Sequence, residues 1–349
     1  MKLSLVLLAS TAIFGVYDAS AQEPGYVAPK TVWGAPDFTG VWNNASLTTV
    51  QRLAGASSVT VNEEEAQKLA KNNVTNLVAQ DEAGRSKVDD ASSKKLLSDK
   101  NSSRAYNRFW MDPGVVLMKV KGEYRTSYIT DPPSGKIPFK DGKTMNGVYY
   151  NPLNFDAPEV RQLNERCVFY GKTGPIFQST LYNNNIQMIQ TPTHLMLMTE
   201  MIHEVRIIPI FKTAAEAKAS HGAVPKWGGD SVSWYEGNTL VVETVNPHPL
   251  YRTYITSTGK SEERFTRWNN EEVLYEFKID DPSIYTQVWS GEETFVATKD
   301  PLYEYACHEG NYSLPGILAG ARQLERDGRV DPPVLGLFEG VGRGAEPDE

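Results

Sequence analysis

Apolar and polar residues alternate along most of the chain after residue 106, and this two-residue period predicts β-strands with two different faces. Turn-forming residues separate the runs, as at Lys121-Gly122-Glu123, Pro192-Thr193-His194 and Tyr235-Glu236-Gly237-Asn238. Short strands at nearly even spacing favour a sheet that closes, because closure removes exposed strand edges. We therefore predict a mainly β fold, an antiparallel meander that closes as a barrel within residues 106–321. Its predicted strands are 115–120, 124–129, 186–191, 195–208, 230–234, 239–245, 263–268, 273–279, 285–289 and 293–298.

The chain before this sheet follows a different pattern, with one or two short helices near the N-terminus. Asn62 can cap a helix, glutamates fill the next three positions, and apolar residues follow at helical spacing, which predicts a helix over 62–79. Two further divisions are predicted outside the β domain: an N-terminal unit at 22–105 and a charged tail at 322–349. The N-terminal unit contains an extended arm at 22–36, a first strand at 37–42 and a polar, partly helical linker at 81–104.

The first residues are typical of a secretory signal peptide. Lys2 precedes an apolar run from Leu3 to Val16, and Ala19-Ser20-Ala21 matches the small-residue cleavage pattern. We predict a signal peptide over 1–21, a mature chain that begins at Gln22, and a periplasmic or extracellular location. No later apolar run reaches the roughly 20 residues that a spanning helix needs, so no membrane insertion is expected.

Composition narrows the partners and cofactors. The net charge of −8 argues against nucleic acid, whose binding requires a basic surface. The chain lacks the glycine-rich, P-loop and Cys-x-x-Cys-His motifs, so no cofactor is predicted. The five histidines lack the close spacing of metal motifs, although His203, His308 and a glutamate from distant strands remain an alternative. Cys167 and Cys307 either form a disulfide or remain buried thiols.

Residues 303–312 carry the densest chemistry, with aromatic rings, carboxylates, a thiol and an imidazole. As a strand, this segment would place Tyr303, Tyr305, Cys307 and Glu309 on one face, and Glu304, Ala306 and His308 on the other. Gly310 and Asn311 would end it at the barrel rim, where His308 could act as a general base. The plainer interpretation is a structural histidine bonded to the backbone.

Residues 200–206 are the best candidate for the other half of a site. A continuous strand over 195–208 would put Glu200, Glu204 and Arg206 on the face opposite His203. In the plainer interpretation His203 shares the core face and the charged residues meet solvent. In the functional interpretation Arg206 and a glutamate point inward, with Arg206 available to an anionic or carbonyl group. A bulge near Met201 would bring Glu200 and His203 together.

A third cluster contains Trp227, Asp230 and Trp234. The two tryptophans could stack on a sugar or an aromatic ligand, whereas tryptophan in a strand is more often part of the core. The following Glu236-Gly237-Asn238 is most simply a turn.

Six blocks of the sequence stand out, at 106–112, 126–135, 200–209, 227–231, 236–244 and 303–312. Together they resemble a large family of secreted bacterial proteins to which we attach no activity. The resemblance covers residues 35–322 and implies no residue roles.

Phe38-Thr39-Gly40-Val41-Trp42 shows a smaller resemblance, to the G-x-W opening strand of lipocalin-like barrels. It implies a calycin-like barrel with one small ligand in its mouth or bore.

Three functions fit these patterns. The first is an acid/base enzyme of lyase, isomerase or hydrolase type acting on a small molecule in the barrel. The second is a non-catalytic lipocalin-like carrier, and the third is an interaction protein whose bore is filled by side chains. We favour the enzyme, with catalytic residues His308, His203, Glu200 and Arg206 and binding residues Tyr303, Tyr305, Glu309, Trp227, Asp230 and Trp234.

Overall fold

Thirteen strands and three α-helices form the regular structure of the described residues, which in this computed structural model are 22–73, 114–145, 155–251 and 253–328. The helices are α1 Glu63–Asn72, α2 Ala214–Ala219 and α3 Ser313–Arg326. The strands are β1 Gly40–Asn43, β2 Thr60–Val61, β3 Lys119–Val120, β4 Glu123–Arg125, β5 Ile129–Asp131, β6 Asn185–Gln190, β7 His194–Thr199, β8 Val205–Phe211, β9 Asp230–Glu236, β10 Thr239–Val245, β11 Lys260–Arg267, β12 Glu272–Asp280 and β13 Trp289–Ala297.

Nine of these strands close into a barrel, in the order β1, β6 to β13, with β13 returning to β1. The closing pairs are Trp42 with Ala297 and Asn43 with Val296. The predicted mainly β barrel is therefore confirmed. One pair departs from an antiparallel meander, because β8 and β9 run parallel and the chain between them crosses over through α2.

A second, small sheet covers the outer face of β13. It has the order β2-β4-β3, and β3 and β4 form the hairpin predicted around Lys121-Gly122-Glu123. The backbone N–H of Thr294 on β13 contacts Met118 Sδ at 3.2 Å. Lys121 Nζ lies 2.9 Å from Glu292 Oε2 on the same outer face. The hairpin of the small sheet and the residue before it thus bind β13 through a hydrogen bond and an ion pair.

Inward-facing side chains from the nine strands form one core. Trp42 of the resembled G-x-W strand is buried, donates from Nε1 to Phe38 O at 3.0 Å, and lies under the Arg267 guanidinium at 4.8 Å. Outside the wall, α2 buries Ala217 against Val232 and Trp234. Alternate residues of β9 therefore pack into two different apolar clusters, as the two-residue period requires.

The helix predicted over 62–79 begins at the predicted position. Asn62 Oδ1 accepts a hydrogen bond from Glu65 N at 2.9 Å, and the helix extends to Asn72. The remainder of that prediction, together with the linker over 81–104 and the signal peptide over 1–21, lies outside the described residues.

Several predicted strand boundaries are wrong. The run 195–208 forms two strands of a hairpin, because a 3₁₀ turn at Met201–His203 reverses the chain. The predicted strand 285–289 is wrong except for Trp289, where β13 begins, and β13 runs on through most of the predicted strand 293–298. Residues 303–312 form no strand, since the chain turns at 307–310. Helix α3, which crosses the start of the predicted tail, was not foreseen.

Cys167 and Cys307 form a disulfide with Cα atoms 5.7 Å apart, which decides between the two alternatives for these thiols. The bond ties the segment before β6 to the segment after β13. No helix in the described part of the chain is long and apolar enough to cross a membrane.

Candidate functional site

The bore of the barrel is occupied by residues 169–180, which we call the plug. Its Phe177 ring is fully buried among the rings of Phe265, Tyr275 and Phe295, with centroids 6.2, 5.0 and 5.1 Å away. Those three rings belong to β11, β12 and β13 and face inward. The plug therefore fills the space that a ligand would need.

Glu204, at the mouth of the barrel between β7 and β8, holds the plug by its backbone. Its carboxylate accepts hydrogen bonds from Tyr170 N at 2.8 Å and Gly171 N at 2.7 Å. It also accepts from Thr173 N at 3.2 Å and Thr173 Oγ1 at 2.6 Å. Deeper in the bore, Tyr275 accepts from Ile176 N at 2.9 Å. Side chains of the wall thus take the place of a β-ladder for this irregular segment.

Arg206 lies inside the barrel and its guanidinium is fully used. It pairs with the Glu263 carboxylate at 2.6 and 3.1 Å, in a two-bonded arrangement. Its remaining donors reach Ser231 Oγ at 3.0 Å, Thr244 Oγ1 at 2.6 Å and Thr173 O at 2.8 Å. This placement matches the inward arrangement of Arg206 and Glu204, yet leaves Arg206 no donor for a ligand while the plug is in place.

Glu293 is the exceptional polar group of the bore. It is fully buried on β13, and neither carboxylate oxygen has a hydrogen-bond partner of normal geometry among the described residues. Burial raises the pKa of Glu293 well above its usual range, and the nearby Glu263 raises it further. Asn44, Lys172 and the Phe177 backbone lie close enough to lower that pKa, but burial outweighs them.

Lys172 brings the plug's positive charge into the bore. Burial lowers the pKa of its ammonium to about 8, although the nearby Glu293 and Glu204 oppose this shift. Its Nζ donates to Gln178 O and lies 3.3 Å from Thr180 Oγ1. The cavity beside it is too small for a water molecule; it is lined by Asn44, Lys172, Phe177, Asn183, Asn184, Asn185, Ile186 and Thr199.

The two predicted half-sites meet at the mouth of the barrel. Glu200 Oε1 accepts a hydrogen bond from Tyr303 N at 3.0 Å, and His203 Nε2 accepts one from Tyr305 N at 3.4 Å. Burial and neighbouring tyrosines, Tyr182 first, raise the pKa of Tyr305 to about 12. Glu200 is buried whereas His203 is exposed. The structure thus joins these segments through backbone contacts rather than through a carboxylate–imidazole pair.

His308 and Glu309 lie on the exposed turn that follows the disulfide. The expected separation of residues 303–312 into two strand faces is wrong, because this segment makes no β-ladder. Among the described residues, the His308 imidazole makes no hydrogen bond with another side chain. The disulfide at Cys307 fixes this turn beside the start of the plug.

The third predicted cluster is divided on the outside of the barrel. Trp234 is buried beneath α2, with Lys218 Nζ 5.2 Å from its ring. Asp230 pairs with Lys226 and with His221 Nδ1, the latter at 3.1 Å. Trp227 packs on the imidazole of His248 at 4.0 Å. None of these contacts reaches the plugged bore.

A larger cavity of about 370 Å³ lies against the outer side of the wall, between β1, β13 and β3. Its lining includes Ser46, Met118, Tyr124 and Thr294 and contains none of the predicted site residues. Among the described residues, no group of three or more His, Cys, Asp or Glu side chains is arranged to hold a metal ion.

Sequence reasoning missed Lys172, Glu263 and Glu293. A usable signal was present for the two glutamates, since Glu262-Glu263 and Glu292-Glu293 are adjacent pairs inside strands. Because alternate residues face opposite sides, one member of each pair must turn inward. Comparison with known proteins adds no further assignment: no family model, no curated protein and no solved structure matches this chain.

Proposed function

We propose that the protein is an enzyme outside the cytoplasm that performs acid/base chemistry on a small molecule bound inside the barrel, with Glu293 transferring the proton. The observation that carries this proposal is the fully buried Glu293 carboxyl group, whose oxygens have no hydrogen-bond partner of normal geometry in the described residues. The reaction would be of lyase, isomerase or hydrolase type. The disulfide and the apolar N-terminal segment are compatible with an exported protein.

The polar groups inside the barrel support a functional role, because they stabilise the core less than apolar side chains of similar size would. A buried polar group without a hydrogen bond costs about 1–3 kcal/mol, and an apolar side chain of similar size at position 293 would avoid that cost. Sites that perform proton transfer are where such groups are retained. We expect the plug to leave the bore when substrate binds, since side-chain contacts rather than a strand ladder hold it in place.

The carboxyl groups of Glu263 and Glu293 have different surroundings, which suits a division of roles. Glu263 is neutralised by Arg206 and accepts a hydrogen bond from Tyr275 OH at 3.1 Å. Glu293 has no such cation within bonding distance among the described residues, and burial raises its pKa, which favours the protonated form of this carboxyl group. In this proposal Glu293 is the general acid or base, and Arg206 holds Glu263 in place. Glu200, His203, Tyr303 and Tyr305 surround the mouth through which substrate enters.

A non-catalytic carrier is the second candidate. It is favoured by the ring cage of Phe265, Tyr275 and Phe295, which would hold an apolar ligand without any reaction.

Solvent exchange separates the two functions for any reaction that removes a proton from carbon. A panel of small metabolites in D₂O would be followed by NMR for binding and for loss of C–H signals. We expect exchange with the wild type and with Glu271→Gln, whose side chain is exposed, and loss of exchange in Glu293→Gln. Binding without exchange would favour the carrier. Exchange that persists in Glu293→Gln would refute the role of this carboxyl group.

A further inference from the structure

Near the mouth, the side chains that the barrel wall points into the bore are mainly acidic if the residues of the plug are left out of the count. Buried carboxyl groups of Glu204, Glu263 and Glu293 face this region, against the single guanidinium of Arg206. A further buried carboxyl group, that of Glu200, lies at the mouth itself, and burial raises the pKa of Glu293, which favours its neutral form. Arg267 faces the other end of the bore, and its guanidinium donates hydrogen bonds to the carbonyl oxygens of Asp37, Asn269 and Asn270. It therefore does not balance the charge at the mouth.

The plug supplies what this acidic wall lacks. Lys172 brings a buried ammonium group whose favourable electrostatic partners are Glu293 and Glu204. Backbone N–H groups of the plug, with the hydroxyl of Thr173, satisfy the Glu204 carboxylate. Phe177 supplies an aromatic ring to the cage of inward rings. The plug thus presents a cation, hydrogen-bond donors and a ring to one end of the barrel.

A molecule that displaces the plug has to replace these interactions. If it carried a negative charge, it would place a further anion beside Glu204 and Glu263 in a poorly solvated space, where repulsion between like charges is strong. If it were neutral, the carboxylates would lose a cation without compensation. We infer that the plug is an internal substitute for the ligand, and that the bore binds a small primary ammonium compound with an aromatic or bulky apolar group.

This inference rests on the proposed binding of a small molecule in the bore and names its chemical class. It differs from the role first considered for Arg206, the capture of an anion, because Glu263 already occupies that guanidinium. It also gives Lys172 a defined role: its ammonium group competes with the ligand for the acidic wall and does not contact the bound ligand.

Three probes of similar size and different charge test the inference: 2-phenylethylamine, 2-phenylethanol and 3-phenylpropionate. Binding would be measured by calorimetry on the mature protein and on Lys172→Met, Glu293→Gln and Glu271→Gln. We expect the amine to bind about tenfold or more tightly than the alcohol, a difference of about 1.4 kcal/mol, with no binding of the carboxylate. Lys172→Met should strengthen amine binding, Glu293→Gln should weaken it about tenfold, and Glu271→Gln should leave it unchanged.

Several outcomes would overturn the inference. Equal or tighter binding of the carboxylate would reject the ammonium class, and weaker amine binding by Lys172→Met would reject the substitute role of the plug. If neither the wild type nor Lys172→Met binds any of the three probes, both the ammonium class of the ligand and the substitute role of the plug are rejected. If the amine binds and no compound exchanges deuterium, catalysis fails while this inference stands. If an anionic compound binds in the bore and exchanges, the reverse holds.

Discussion

Glu292 and Glu293 are neighbours in the chain with opposite surroundings. Glu292 faces outward, where Arg125 Nη2 lies 2.6 Å and Lys121 Nζ 2.9 Å from its carboxylate. Burial alone would raise its pKa, but these two cations outweigh burial and the net pKa is lowered. Glu293 faces inward and has its pKa raised by burial. One step along a strand therefore reverses the direction of the shift.

The two glutamates should affect stability in opposite directions as pH changes. In the unfolded chain both titrate near ~4.3. Above that pH, folded Glu293 retains a proton that the unfolded state has lost, so its contribution to the free energy of unfolding falls as pH rises through the raised pKa. We expect Glu293→Gln to gain stability relative to the wild type as pH rises above about 4.3, because only the wild type loses this contribution. Urea unfolding at several pH values measures this.

Glu292→Gln is the matched control. In the wild type, the lowered pKa of Glu292 stabilises the fold at pH values above its pKa in the unfolded chain. That contribution is lost as pH falls through the pKa of the folded state. The variant should be roughly 1–3 kcal/mol less stable than the wild type near neutrality, and the difference should shrink in acid. A shift of both variants in the same direction would contradict the opposite environments of these residues.

At this scale the sequence predicts alternation but not its phase. Adjacent glutamates in a strand require that one of them face inward, yet which one depends on the register of β13 with β12, where Glu293 lies opposite Tyr275. The same holds for Arg206, whose inward position depends on the register of β8 with β7. Register is set by pairing with distant strands, and a local pattern does not contain it.

At the scale of elements, the turn between β7 and β8 shows why one predicted strand became two. Residues 195–208 contain no glycine or proline before Pro209, so local signals favour continuity. In the structure Ile202 and His203 adopt φ values of 59° and 50°. Such positive values are uncommon outside glycine and especially rare for a β-branched residue such as Ile202. The buried Glu204 that follows is bound to the plug, and this tertiary contact overrides the local preference.

The plug was not predicted because it has neither alternation nor a helical period. Its positive-φ glycines are instead explained by close approach to the wall. A Cβ atom at Gly174 would overlap the Glu263 carboxylate and the Arg206 guanidinium, and one at Gly171 would overlap the Tyr251 hydroxyl. Such contacts become visible only when the barrel has been assembled around the segment.

Gly174→Ala should loosen the plug. The added methyl group meets the buried ion pair, and Gly174 also has a φ of 96°, which alanine tolerates poorly. We expect backbone amides of the plug to exchange with deuterium at least tenfold faster than in the wild type, measured by mass spectrometry. Gly55→Ala is the control, because Gly55 has a φ of 80° and no neighbour near its Cβ position. Equal effects of both variants on the plug would mean that a general loss of stability, and not the contact at Gly174, causes the faster exchange.

At the scale of the whole molecule, the barrel could be predicted from its hairpins, and its connectivity only in part. Turn signals identified the β9–β10 and β11–β12 connections, which the structure has as hairpins. The parallel pairing of β8 with β9 was not predicted, because the crossover carries only the six-residue helix α2. Closure of the sheet was expected from the general need to cover strand edges, but the predicted β domain began at residue 106 and left out β1, the strand that pairs with β13.

The disulfide is the covalent constraint on this architecture, and its removal should be costly. Cys167 and Cys307 are 140 residues apart, and in the chain-entropy description a loop of this length stabilises the fold by about 5 kcal/mol. We expect the double variant Cys167→Ser/Cys307→Ser to unfold at a lower urea concentration, by about that free energy. Reduction of the wild type should reproduce this loss, and reductant should not alter the double variant. Unchanged stability of the double variant would contradict this loop-entropy contribution.

The seam between β1 and β13 governs how the chain reaches its folded form. These strands pair at only two positions, and they lie near residues 42 and 297, so almost the whole barrel lies between them in the chain. Closing a loop of that size is entropically unfavourable, and contacts of such high order form late and slowly. Until residue 297 is available, β1 and β12 remain open edges that can pair with other molecules. Folding of this protein is therefore completed by its last barrel strand, and a chain truncated before Trp289 should aggregate rather than fold to a smaller barrel.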